Sequence, residues 1–207
     1  MPGQRVLKPM EVITSSPFTF LVSLAAVVNG LGIVRLLTSL AEYVRRKHLL
    51  EVRHYWVFSL FMVLQLLTHV ILWWSLWGIR EGSAFNFLIY LYLLCGPTLL
   101  YLATSLLIPD LGEAVIDLRK AYFRIHRSYF SVMSLAWLWV ILIWPLMNGT
   151  FAPTAPLMAL LLTFAMVLRS TDNHRVHAVL AVSHWVMVLV YIGLFGMQLG
   201  SMAELMK

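Results

Sequence analysis

The sequence predicts an all-α, polytopic membrane helix bundle with six transmembrane helices and one interfacial amphipathic helix on the cytoplasmic side. Three observations predict it. Hydrophobic residues make up 61% of the 207 and charged residues only 12%, against about 45–50% and about 25% in an ordinary soluble domain. Six apolar runs, at 18–40, 55–77, 85–108, 129–147, 151–168 and 176–199, approach the roughly 20 residues that a bilayer-crossing helix needs. All the cations but Arg35 fall outside those runs, most of them in the short stretches between. One membrane domain over 17–199 follows, with outer segments at 1–16 and 200–207, because no stretch is left for a separate soluble core.

A net charge of +6 is compatible in principle with nucleic acid, but cations confined to short loops read as topology signals and as contacts to anionic lipid on the cytoplasmic face. If all six runs cross, Arg45, Arg46, Lys47, Arg53, Arg119, Lys120, Arg124, Arg127, Arg169 and Arg175 share one side. Only Arg5, Lys8, Arg80 and Lys207 share the other. The excess of Lys and Arg belongs inside, so both termini are expected outside the cytoplasm.

The run at 18–40 is too long for a signal peptide and lacks a small-residue cleavage site, so it reads as an anchor. Asn29, Gly32, Arg35, Ser39, Glu42 and Arg46 recur along it at steps of three or four, which gives its inner half a polar face. Arg35 there is a candidate anion contact, or a side chain that snorkels to the interface. The second run brings Gln65, Thr68 and His69 together near mid-membrane, a combination suited to interhelical hydrogen bonds or to a proton relay. Trp73, Trp74 and Trp77 then mark its outer end.

In the third run Gly96 and Pro97 predict a kink that frees backbone carbonyls, with Tyr101 on the same face as the break. Pro109 ends that run. Asp110 with Glu113 resembles a capping box, and apolar residues at Leu111, Val115, Leu118, Tyr122 and Ile125 keep helical spacing. The expected element is an interfacial helix over about 110–125 whose polar face, with Asp110, Asp117, Arg119, Lys120, Arg124 and Arg127, meets lipid or a partner.

The fourth run follows directly, with Trp144 at its outer end. The fifth is the weakest, since Pro153 and Pro156 delay its start, and a re-entrant segment is the alternative. In the sixth, His177, His184, Tyr191 and Gln198 are each seven apart, a polar column drifting about 20° per step. His184 is expected to face the bundle interior beside the polar stripe of the first helix, where it needs a hydrogen-bond partner.

No residue is assigned to catalysis, to a cofactor or to a metal. Nucleophile elbows, phosphate loops and intramembrane carboxylate pairs do not occur. His69 and His184 lie at unequal depths for a bis-histidine haem, and His174 with His177 lacks the further ligands of a zinc site.

The stretch Tyr101-Leu102-Ala103 to Ile108-Pro109-Asp110, then Asp117-Leu118-Arg119 and Tyr122-Phe123 to Arg127, resembles an uncharacterised family of bacterial multi-pass inner-membrane proteins. Gly30-Leu31-Gly32 to Arg35-Leu36-Leu37 and the Trp73-Trp74-Ser75-Leu76-Trp77 end of the second run extend the likeness over about two thirds of the chain. The resemblance implies a bacterial inner membrane and no particular activity. Polar faces on four helices favour an oligomeric channel or permease for a small ion or solute, with a homo-oligomer supplying the enclosed volume. The competing expectation is a non-transporting sensor or scaffold that acts through its basic cytoplasmic loops.

Overall fold

A computed structural model describes residues 17–46, 48, 51–76, 86–109 and 115–196. The chain is built from α1 (Pro17–Arg46), β1 (Glu51–Arg53), α2 (Trp56–Leu76), α3 (Phe87–Leu107), β2 (Val115–Asp117), α4 (Leu118–Asn148), α5 (Ala155–Ser170) and α6 (His174–Tyr191), the last running into a π-helical turn at Ile192–Gly196. Five of the helices are long and apolar enough to cross a membrane, and α5 is a shorter apolar helix of 16 residues.

The two short strands pair in parallel, with Val52 opposite Ile116. Each strand leads directly into a helix, so α2 and α4 leave the same end of the molecule in the same direction. Side-chain contacts order the rest. Gln65 of α2 meets Thr104 of α3, while Tyr92, earlier in α3, meets Trp139, later in α4, so α3 runs back between them. His177 of α6 meets Tyr122 near the start of α4, and Tyr191 meets Ser75 near the end of α2, so α6 runs with both. Asp172, between α5 and α6, reaches Arg127 near the start of α4, which makes α5 antiparallel to α4. The six helices therefore alternate in direction. Arg45, Arg46, Arg53, Arg119, Lys120, Arg124, Arg127, Arg169 and Arg175 all lie towards the strand-bearing end.

Helix α2 packs on α3, α3 on α4, α4 on α5, α5 on α6, and α6 back on α2, while α1 lies outside this ring against α2 and α3. Aromatic side chains fill the strand-bearing half of the ring. Phe61, Tyr122 and Phe130 are fully buried, with the Phe61 and Phe130 ring centroids 5.2 Å apart and edge to face.

Over 115–125, the described part of the interfacial helix expected at 110–125, no separate helix forms. Asp110 lies outside the described residues; residues 115–117 are strand, and residues from Leu118 onward are the first turns of α4. The physical reason is that neither glycine nor proline interrupts the chain between Leu118 and Trp144, so the amphipathic period at 118–125 continues without a stop into the span. Its apolar face is buried in protein, with Leu118 and Tyr122 in the core, while Arg119, Lys120, Arg124 and Arg127 stay exposed. The cap is Asp117, whose side chain accepts from the backbone N–H groups of Arg119 and Lys120 at 3.1 and 3.0 Å. Helix α1 continues to Arg46, beyond the expected 40, and α6 starts at His174 rather than 176. At Gly96 and Pro97 α3 is not interrupted and runs through as one helix.

The Asp117 carboxyl is held below its ordinary range, first by the Lys120 N–H bond, with the Lys120 charge, the Arg119 N–H and Arg53 adding to it against the opposing effect of desolvation. A carboxyl lowered on folding stabilises the fold above its unfolded pKa, and that contribution disappears as pH falls through the folded value. Thermal melts should show Asp117→Ala less stable than wild type at neutral pH, with the difference vanishing in acid. Asp117→Asn should stay close to wild type, because asparagine caps comparably.

Candidate functional site

A chain of hydrogen bonds crosses the middle of the bundle through side chains from α1, α2, α3 and α4. Asn29 Nδ2 donates to the His69 carbonyl at 3.1 Å, and this leaves Asn29 Oδ1 facing His69 Nδ1 at 2.7 Å. The His69 Nδ1 therefore carries the proton. Its Nε2 accepts, and Thr104 Oγ1 donates to it at 2.8 Å. Thr104 Oγ1 in turn accepts from Gln65 Nε2 at 3.2 Å, and the second Gln65 N–H goes to the Leu100 carbonyl, also at 3.2 Å. Gln65 Oε1 accepts from the Tyr129 hydroxyl at 2.9 Å. Reversing either amide would set oxygen against oxygen, so the bonds admit one arrangement. Asn29, Gln65, His69, Thr104 and Tyr129 are all buried.

Two glycines let ring and backbone approach at these crossings. A Cβ on Gly32 of α1 would overlap the His69 imidazole, and a Cβ on Gly96 of α3 would overlap the Trp139 indole. Neither ring is free to yield. His69 is bonded at both nitrogens, while Trp139 Nε1 donates to the Tyr92 carbonyl at 2.6 Å and the Tyr92 hydroxyl donates back to the Trp139 carbonyl at 2.7 Å.

A second cluster sits at the strand-bearing end. Tyr122 donates to His177 Nδ1 at 2.6 Å, and His177 Nε2 donates to the Thr171 carbonyl at 2.8 Å. His126 gives its Nδ1 proton to the Phe123 carbonyl at 2.8 Å, which turns Nε2 towards Asp172 at 3.2 Å. That contact is an ion pair only in the imidazolium form; neutral, the ring presents a lone pair to a carboxylate, and His126 Nε2 then has no hydrogen-bond partner. Asp172 also holds Arg127 at 2.9 Å. Just outside the helices, burial raises the Tyr55 hydroxyl above its ordinary pKa against the opposing pull of Arg119, and the Tyr55 ring stands 5.5 Å from Tyr122.

The polar column of α6 is distributed over different surroundings. His177 joins the strand-end cluster, and Tyr191 meets Ser75 at 3.0 Å near the opposite end. Gln198 lies outside the described residues. His184 faces the interior as expected, but it does not reach the α1 stripe. It packs between Phe61 of α2, at 6.3 Å between centroids, and Trp137 of α4, at 5.9 Å, because α1 stands outside the ring. Neither His184 nitrogen has a hydrogen-bond partner, nor does Trp137 Nε1.

The α1 stripe divides. Asn29 and Gly32 are buried against α2, whereas Arg35 is exposed and Glu42 half-buried, the latter 3.4 Å from Arg46. Thr68 bonds back to the Leu64 carbonyl at 2.8 Å and stands apart from the hydrogen-bond chain. Pro97 is buried, and Tyr101 lines a groove with α1. Thr104 and Tyr129 complete the central network without having been singled out in the sequence, and Tyr122, read there only as part of an apolar stripe, uses its hydroxyl in the second. For Thr104 and Tyr129, a polar group inside an apolar run is the signal that would have raised them.

Two cavities stand out among the described residues. One, of about 120 Å³, lies towards the end opposite the strands, lined by apolar side chains together with Thr68, Ser75, Trp137, Thr154 and Tyr191. The other is an open groove between α1 and α3. No family model, no curated protein and no solved structure matches this chain.

Gly32→Ala and Gly96→Ala should each lower the thermal midpoint substantially, because overpacking a filled core costs about 1–3 kcal/mol. Gly30→Ala, which meets nothing within 4 Å, should leave the midpoint unchanged or slightly higher. Equal melts for Gly30→Ala and Gly32→Ala would contradict the close His69 contact.

Proposed function

We propose that this chain is a six-crossing integral membrane protein, both termini outside the cytoplasm, acting as a non-transporting sensor or scaffold module. The observation that carries the reading is the closed chain from Asn29 through His69, Thr104 and Gln65 to Tyr129. A conduit needs polar groups that exchange partners with what passes. Here Asn29, Gln65 and His69, the mid-bundle groups that suggested one, have their hydrogen bonds satisfied within the protein, and the strand-bearing half of the ring is filled with aromatic rings.

Alternating helix directions support six crossings, with α5 completing the set despite its length of about 24 Å. A short span is accommodated by local thinning of the bilayer. The cations gathered at the strand-bearing end support a cytoplasmic assignment for that end, in contact with anionic lipid. The apolar cavity at the other end, bordered by Trp137 with its unpartnered N–H, is where such a module would receive a small apolar molecule. A bacterial inner membrane and a homo-oligomeric state belong to the same proposal, the former from the sequence resemblance alone.

Purified protein in vesicles should pass protons and potassium no faster than protein-free vesicles. Thr104→Val should lower the thermal midpoint, since an interhelical hydrogen bond in a membrane is worth roughly 0.6–2 kcal/mol, and leave flux at that same baseline. Saturable wild-type flux that Thr104→Val abolishes would return the chain to the channel or permease class.

A further inference from the structure

The groove between α1 and α3 has a volume of about 610 Å³ and is lined by Leu31, Val34, Arg35, Thr38, Ser39, Glu42 and Arg46 on one side and Tyr101, Ile108 and Pro109 on the other. Its chemistry is graded along α1. Leu31 and Val34, both exposed, stand at the mid-bundle end; Arg35 with the hydroxyls of Thr38, Ser39 and Tyr101 comes next; Glu42 and Arg46 close the strand-bearing end. Arg35 is exposed and has no ion-pair partner among the described residues. Glu42 does not serve it, being engaged by Arg45 at 3.8 Å and Arg46 at 3.4 Å, and it lies about 10 Å farther along the axis.

Intramembrane cations are costly and ordinarily face a bundle interior or pair with a carboxylate. Arg35 does neither. Helix α1, at 30 residues and about 45 Å, exceeds a hydrocarbon core of about 30 Å, so with Pro17 at one hydrocarbon boundary its last turns pass the other. The Arg35 to Ser39 level then falls near the boundary between hydrocarbon and headgroups, within snorkelling reach of the phosphate plane.

We propose that this groove is a binding site for one anionic phospholipid. The guanidinium of Arg35 and the hydroxyls of Thr38, Ser39 and Tyr101 take the phosphate, and an acyl chain lies along Leu31 and Val34. A free anion would gain nothing from the exposed apolar end, and a zwitterionic lipid would bring a second cation towards Arg35 and Arg46. The inference rests on the proposed function only for the identity of the cytoplasmic side. It stands or falls separately from whether the core conducts.

The test titrates full-length protein in uncharged micelles with dioctanoyl phosphatidylglycerol, dioctanoyl phosphatidylcholine or inorganic phosphate, and reads the thermal midpoint. Phosphatidylglycerol should raise it saturably and the other two should not. Arg35→Gln should weaken the half-saturating concentration about fivefold, the value of one cation near an anionic lipid, with Ser39→Ala weakening it less. Arg124→Gln, exposed at the same end but away from the groove, should respond as wild type. If Arg35→Gln does not fold, Arg35→Lys with Ser39→Ala carries the comparison, because lysine keeps the charge and loses the forked donors. An equal shift with inorganic phosphate, an equal shift with phosphatidylcholine, an unchanged response in the groove variants, or a dimer whose interface covers α1 would each overturn the proposal.

Discussion

An apolar core offers no hydrogen bonds, so a polar atom buried in it needs a partner within the protein. His69 is where that constraint acts most strongly here. Its ring bonds to Asn29 of α1 on one side and Thr104 of α3 on the other, and Thr104 passes the obligation through Gln65 to Tyr129 of α4. Four helices thereby share one register. Shifting any of them by a turn would strand a donor or an acceptor in an apolar core, at a cost of several kcal/mol per group. Gly32 belongs to the same device, because only a residue without a side chain lets α1 come close enough for Asn29 to reach the ring.

The rest of the bundle arranges itself around that register. The Tyr92 and Trp139 pair holds α3 to α4 by two reciprocal bonds to backbone carbonyls. The strand pair sets the starts of α2 and α4 side by side, and the Tyr122–His177 and Arg127–Asp172 contacts tie the start of α6 to the same end. His184 is the exception. It has aromatic rings on two sides, one of them Trp137 at the border of the cavity opposite the strands, and no hydrogen-bond partner.

How much of this was legible follows from which quantity sets each feature. Span positions are set by transfer free energy, which is local and additive, and the apolar runs at 55–77 and 85–108 enclose α2 and α3. Burial of Asn29, Gln65 and His69 was legible for a related reason, since polar side chains in a span turn inward. Their partners were not. The bond from His69 to Thr104 joins residues 35 apart in sequence, and no period within one helix encodes it. The interfacial helix misled because helical periodicity at 118–125 has the same form whether the apolar face meets lipid or protein. Placing α1 outside the ring undid the expected partnership of His184, an outcome fixed by which helices pack together rather than by depth along any of them. Asp117 as a cap was readable in retrospect, being an aspartate directly before an uninterrupted helical run.

The tautomer of His69 tests the central claim most directly, because the closed chain permits only one. Nitrogen NMR on protein labelled at histidine, in a bilayer, should find His69 protonated at Nδ1 and bare at Nε2, with a ring proton that exchanges slowly with solvent. A ring protonated at Nε2, or one whose protons exchange freely with bulk water, would mean that Thr104 is not its donor and that water reaches the centre of the bundle. The closed core, and the non-transporting reading built on it, would then be contradicted.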